Sequence, residues 1–306
     1  KDKTYSEKIS WIKTHLGSLK ISRDGKNAAI TCPACGKQSK FSVNLSNWMC
    51  HCWVCGVKSK NIGSLLKKHK SKEVSQSFYS TFGGPESISC KEEDVKMLVK
   101  PESLILLASY SGRDPDIMRV KKYCKQRGLT ERDFWFFKIC ASKDYSLSRR
   151  VIFPSFDKSG KMNYYVSRTV DATGFPKYKN ATVKKTEIIF NEINLRWDRE
   201  ITIVEGAFDL VKAGSNSTCL LGSKLSKNGT LFRKIVENQC EVLLALDSDM
   251  REESQNIARD LSQFGIACRI ANITSGKDVG DMSREEFEKI KKESHTWSPE
   301  MHMRFK

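Results

Sequence analysis

The chain has 306 residues and carries 53 Lys and Arg against 36 Asp and Glu, a formal net charge of +17. That length allows two or three domains with at least one sizeable core. The basic excess suits a polyanionic partner, nucleic acid above all, rather than a merely soluble surface. No apolar run reaches the length of a membrane span and no secretory signal opens the sequence, so a membrane partner is not expected and a cytoplasmic location is.

The predicted elements begin with a short amphipathic helix over 5–16, with Ile9, Trp11, Ile12 and Leu16 as its apolar positions. Strands follow at 27–31, 40–44 and 48–53, then a helix at 62–69. Five of the 11 cysteines lie between Cys32 and Cys55. Such clustering fits metal ligands in a reducing compartment, not a disulfide framework. Cys32 and Cys35 are separated by two residues, as are Cys52 and Cys55, with sixteen residues between the pairs. Each pair can form a tight knuckle with both thiolates turned to one ion, so this set predicts one structural Zn²⁺. Cys50 and His51 could substitute as ligands, but the symmetrical set makes them flanking strand positions. Lys37, Lys40, Lys58 and Lys60 make the module basic. Trp48 and Trp53 either stack on single-stranded nucleic acid or pack the ribbon.

Residues 71–100 turn polar and charged around Gly83-Gly84-Pro85 and read as a linker. Beyond it, a helix over 116–127 stops at Gly128 and another starts at Thr130. Phe134-Trp135-Phe136-Phe137 reads as helix core rather than as a base-stacking platform. Strands are expected from Arg149 to Pro154 and over 161–169.

From Ile201 the pattern alternates strand and helix four times with short joints, which predicts a largely parallel sheet. The fold class is therefore α/β within an α+β whole. Ile201–Val204 ends in Glu205-Gly206, and Val242–Leu246 ends in Asp247-Ser248-Asp249. Ligands of open α/β sheets sit at such carboxyl edges. The alternation of strand side chains turns Asp247 and Asp249 to the same side. Acids gathered in so basic a protein point to a divalent cation, Mg²⁺ or Mn²⁺, held by Glu205, Asp247 and Asp249. Asp278 and Asp281 follow the next strand and are candidates for a second metal. Asp209, in the first helical turn, is expected to cap its helix.

Glu205-Gly206-x-x-Asp209 followed by Asp247-x-Asp249 resembles the Toprim domain of primases, topoisomerases and some nucleases. Arg149–Pro154, Pro176–Asn180 and Leu221-Gly222-Ser223 resemble, in order, segments of DnaG-type primases of bacteria and bacteriophages. The cysteine module looks like their zinc-binding domain. The resemblance implies a zinc-binding domain over 1–70, a linker over 71–100, a basic subdomain over 101–200 and a Toprim subdomain with a tail over 201–306. It implies a DNA primase, an RNA polymerase that makes short primers from ribonucleoside triphosphates on single-stranded DNA. Glu205, Asp247 and Asp249 would be its catalytic acids, supported by Asp278 and Asp281. Arg150, Arg168, Lys177 and Lys179 would contact triphosphate or template. Cys35 stands where bacterial members commonly have His, as in phage members, so a bacteriophage source and the host cell cytoplasm are expected. The segment Phe190–Asn194 lacks a basic residue that relatives often carry. With no Walker A pattern, a separate replicative helicase is the expected partner. A Toprim-type nuclease and a non-catalytic zinc-containing replication adaptor are the alternatives.

Overall fold

In Phe41-Ser42-Val43-Asn44 every second side chain is buried, as it is over Asn27–Ile30, and the two runs pair antiparallel with those faces inward. The computed structural model describes residues 4–22, 24–83, 98–222, 224–274 and 276–298. Helix α1 (Tyr5–Leu16) starts in a reciprocal cap between Thr4 and Glu7. An antiparallel sheet in simple sequential order follows: β1 (Leu19–Ile21), β2 (Asn27–Ile30), β3 (Phe41–Asn44), β4 (Cys50–Cys52) and β5 (Lys58–Ser59).

Helices α2 (Ile62–His69) and α3 (Lys72–Phe82) complete this module. The second of them lies within the stretch expected as linker. Its apolar residues Val74, Phe78, Tyr79 and Phe82 recur at helical spacing, and Ser71 caps it, while the Ser, Gln and Thr residues between them give the segment its polar look. Phe78 is fully buried and packs edge-on against Trp11, Trp48 and Tyr79. The remainder of the expected linker, 84–97, lies outside the described residues, as do Ser223 of the third resembling segment and the end of the tail, 299–306.

The middle region holds β6 (Leu104–Leu106), α4 (Pro115–Gln126), α5 (Glu131–Phe136), β7 (Cys140–Ser142), β8 (Arg150–Phe156) and β9 (Met162–Thr169). Its four strands form an antiparallel sheet in the order β6-β7-β8-β9. Phe134 and Phe137 are core, as expected, whereas Trp135 and Phe136 are exposed.

The carboxyl-terminal region runs β10 (Ile201–Val204), α6 (Ala207–Ala213), β11 (Ser217–Cys219), α7 (Thr230–Asn238), β12 (Val242–Ala245), α8 (Arg251–Ser262), β13 (Cys268–Ile270), α9 (Arg284–Glu293) and β14 (His295–Thr296). The order is β11-β10-β12-β13-β14, parallel except for the last pairing. Every residue of β10 and β12 is buried, as a parallel sheet covered on both faces requires. Ile201, Ile203, Val242 and Leu244 face one core, shared with α7, α8 and the amino-terminal module. Val204, Leu243 and Ala245 face the other, shared with α6, α9 and the middle region.

The amino-terminal module is therefore packed on the sheet domain. Lys67 donates to Gly265 O (3.0 Å), Gln76 to Asn238 O (2.7 Å), and the Tyr79 hydroxyl to Phe264 O (3.4 Å). Gly265, at φ +76°, lets this turn approach Ser64 so closely that a Cβ would lie 3.2 Å from its Cα. No helix among the described residues is long and apolar enough to cross a membrane.

The seating of α3 on α2 has a direct test. A Cβ at Gly63 would sit 2.5 Å from Tyr79 Cζ and 2.8 Å from the Phe78 ring. Gly63→Ala is expected to destabilise the protein by about 1–3 kcal/mol and to expose α3 to limited proteolysis. Wild-type urea denaturation and digestion patterns would show that α3 does not pack there.

Candidate active site and metal centres

Two ligand clusters stand out among the described residues. In the first, the sulfurs of Cys32, Cys35, Cys52 and Cys55 all lie within 4.8 Å of one another. The Cys32–Cys55 and Cys35–Cys52 sulfur pairs are each 3.8 Å apart. That is about the edge of a tetrahedron built on metal–sulfur bonds of ~2.3 Å, so the cluster fits one metal ion. The knuckle form comes from backbone bonds: Gly36 N–H donates to Cys32 O and Gly56 N–H to Cys52 O (2.9 and 3.1 Å). Cys50 points away, its thiol donating to Ser59 O, and His51 packs edge-on to Trp53 at 4.5 Å. Both are flanking strand positions, as expected. The two tryptophans part company: Trp48 is buried against Phe78 and Phe82, whereas Trp53 is 73% exposed.

The second cluster joins Glu205, Asp247 and Asp249, again with ligand oxygens within 4.8 Å of one another. Glu205 follows β10 and Asp247 follows β12, neighbouring parallel strands whose carboxyl ends are level, with Val204 opposite Ala245. The alternation argument for Asp247 and Asp249 fails in detail. Strand β12 stops at Ala245, and Ser248–Met250 is a 3₁₀ turn with Asp247 at its start, so turn geometry rather than pleating brings the two acids together.

Asp209 braces the site. It is buried and accepts from the Gly206 N–H (2.8 Å) and the Gly280 N–H (2.7 Å), capping α6 and tying the β10 exit to the 279–281 turn. One buried oxygen each of Asp247 and Asp278 has no hydrogen-bond partner. Burial, then the charges of Asp249 and Asp209, holds Glu205 above its ordinary range. Burial followed by Asp209, Glu205 and Asp278 pushes Asp247 up to about 7. Carboxylates so crowded, with free oxygens, fit a divalent cation.

Asp281 instead pairs with Arg127 at 2.8 Å. Arg127 is a participant that sequence reading missed, since its place just before Gly128 marked only a helix end. Its guanidinium lies 5.0 Å from the Phe208 ring centre, and that of Arg168 lies 5.4 Å from the same ring. Arg168 also covers Tyr178, as does Lys177 (5.6 and 5.9 Å). The basic residues thus stack on aromatics beside the acids, worth about 0.5–1 kcal/mol per contact. Lys179 is exposed and donates to Ser146 O at 3.2 Å. Arg150 differs from expectation: it is 7% exposed and spends its guanidinium on Pro176 O (2.6 Å) and Lys177 O. In Phe190–Asn194, the segment without a basic residue, Asn191 is buried and donates to Ser217 O (2.9 Å), a structural tie.

No family model matches the chain. A curated DNA primase of Listeria innocua is 21% identical over 354 residues, a stretch that takes in 92% of this chain. It covers 56% of the relative, so this chain spans about half that protein's length. The solved DnaG catalytic core matches with a TM-score of 0.50 at 16% identity, over 60% of this chain and 75% of that one. The zinc-binding and RNA polymerase domains of the Aquifex aeolicus primase match with a TM-score of 0.49 at 18% identity, over 95% and 83%. The chain is thus similar in sequence to a DNA primase and, over 60% of its length, shares the fold of the DnaG catalytic core.

The raised carboxyl of Asp247 makes stability depend on pH when metal is removed. Its folded pKa of about 7 exceeds the ordinary 3.8, so between those values the folded protein keeps a proton that the unfolded chain has lost. Stability must then fall as pH rises through that window. With zinc retained and no Mg²⁺ or Mn²⁺ added, the melting temperature is expected to be higher near pH 5.5 than near pH 8. Asp247→Asn should recover about 1 kcal/mol at the higher pH, a figure discounted for the site's partial exposure. Calorimetry giving equal melting at both pH values, with the variant unchanged, would refute this.

Proposed function

We propose that this relative of the DnaG-type primases is a DNA primase, a nucleotidyltransferase that copies single-stranded DNA into short RNA primers. The observation that carries the reading is the convergence of Glu205, Asp247 and Asp249 beside a stack of arginine, lysine and aromatic side chains. The accompanying four-cysteine module supports it further. We propose the same division as the sequence suggested, zinc-binding, basic and Toprim-type regions, with α3 belonging to the first.

In the reaction, the 3′-hydroxyl oxygen of one ribonucleotide bonds to the α-phosphorus of a second. The bond from that phosphorus to the bridging oxygen of the β-phosphate breaks, pyrophosphate leaves and the hydroxyl proton passes to solvent. Mg²⁺ or Mn²⁺, when bound, would lower the hydroxyl pKa and neutralise the pyrophosphate. Glu205, Asp247 and Asp249 would hold it, with Asp278 supplying its free oxygen and Asp281 supporting through Arg127. Arg168, Lys177 and Lys179 would meet triphosphate or template, and Arg127 would join them. Arg150 would act at one remove, holding the Pro176-Lys177 backbone in place.

One Zn²⁺ on Cys32, Cys35, Cys52 and Cys55 would fold the amino-terminal module. The exposed Trp53 with His51, Lys58 and Lys60 offers the template a stacking and cationic face. The four-cysteine set favours a phage-type enzyme in a host cytoplasm, served by a separate replicative helicase.

The test is a priming assay with purified protein, Mg²⁺ or Mn²⁺, four ribonucleotides and single-stranded templates of mixed sequence. Short RNA products are expected, and Asp247→Ala should lower their yield about 100-fold or more, the scale set by removing a key electrostatic group from a reacting centre. Absence of RNA from the wild type, or an unimpaired variant, overturns the proposal.

A further inference from the structure

The acids have two unlike neighbourhoods. On the β10 side stand Arg127, Arg168 and Lys177, cations suited to a triphosphate. On the β13 side a cavity of ≈ 450 Å³ opens beside Asp247 and Asp249, roofed by the start of α8 and closed by β14. Neither Glu205 nor any lysine lines it; Arg251, at the start of α8, does. Beyond Asp247, Asp249 and Arg251 its wall is neutral and mixed: Gln255, Asn272, Thr274 and His295 supply hydrogen-bonding groups, and Ile270 and Ile273 supply apolar surface. A lining with a single arginine, two acids and mixed neutral groups fits a base and a ribose better than a string of phosphates, and the volume falls within the range of small-molecule sites.

One wall residue is fixed in a way that points to a ligand. Gln255 is buried, and its Oε1 accepts the indole N–H of the buried Trp297 at 2.6 Å. That bond sets the amide orientation and leaves Nε2 as the donor available to whatever enters the cavity.

Joining two nucleotides without a pre-existing primer requires both at once, one to supply its 3′-hydroxyl and one to supply its triphosphate. We infer that the cavity between β12, β13, α8 and β14 holds the nucleoside of the initiating ribonucleotide and presents its 3′-hydroxyl at Asp247 and Asp249. The nucleotide to be cleaved then lies on the cationic side, so the acids stand between the two reactants. This assignment rests on the polymerase reading and adds to it a place for each nucleotide.

The test uses Thr274→Phe, which fills the cavity from an exposed position, and His295→Ala. On a template that supports synthesis, the initiating nucleotide is titrated at saturating second nucleotide, and then the converse. Both variants should raise KM for the initiating nucleotide about 10-fold and move KM for the second less than about 3-fold. Separately, saturation-transfer NMR without added Mg²⁺ or Mn²⁺ should detect at least one ribonucleoside 5′-monophosphate on the wild type, with the signal lost in Thr274→Phe. Unchanged or equally raised KM values, or equal transfer from wild type and variant, overturn the assignment while leaving the polymerase reading intact. A wild type that makes no dinucleotide overturns both.

Discussion

Five carboxylates, Glu205, Asp209, Asp247, Asp249 and Asp278, crowd the ends of two strands that cannot move apart. The strands are buried on both faces and hydrogen-bonded in register from Ile201 opposite Val242 to Val204 opposite Ala245. Their exits are therefore fixed, and so is the repulsion between the acids that follow. Desolvation and like charge raise Glu205 and Asp247 together. Only Asp209 is relieved within the backbone, by the amides of Gly206 and Gly280. The remaining acids hold a local electrostatic cost that a bound cation would offset, a trade of stability for function seen wherever a local rule is broken at a site.

That fixed edge is gripped from both sides. On one face the amino-terminal module seats α2 and α3 against the α7 end and the turn after α8. On the other, Arg284 of α9 pairs with the buried Asp133 of α5, Lys212 of α6 donates to Gly128 O and Arg127 pairs with Asp281. These last contacts bring the end of α4 up to the acids. The face carrying Trp53 and the basic stack are thus both referenced to one parallel sheet, so their positions follow from packing rather than from a tether.

Much of this was legible from residue order. Alternation gave the ribbon strands, two spaced cysteine pairs gave the metal knuckles, and apolar runs ending in acids gave the candidate site. The misses have physical causes. Lys72–Phe82 hid its apolar face among serines, glutamine and threonine, and its packing on Gly63 and Trp48 shows what that face is for. Asp247 and Asp249 converge through a 3₁₀ turn that no period of two describes. Arg150 and Arg127 read as one basic residue each, yet one is buried under a loop and the other faces the acids. Sequence gives charge; only tertiary packing decides where a guanidinium is spent.

The run Glu205-Gly206-Ala207-Phe208-Asp209 shows how closely these demands are packed. Glu205 joins the acid cluster, and Gly206 offers its amide to Asp209. Ala207, small and buried, lets the helix begin against the core, while Asp209 turns back to clamp the neighbouring turn. Phe208 does something that no polar residue could do there. Its ring is covered by two guanidiniums and backed by Phe153 at 4.8 Å, so it helps to draw Arg127 and Arg168 to the acids, while Arg127 also pairs with Asp281. Where an acid holds an arginine, as Asp281 holds Arg127, part of its charge is consumed within the protein. An aromatic anchor positions Arg168 and leaves its charge for a polyanionic ligand.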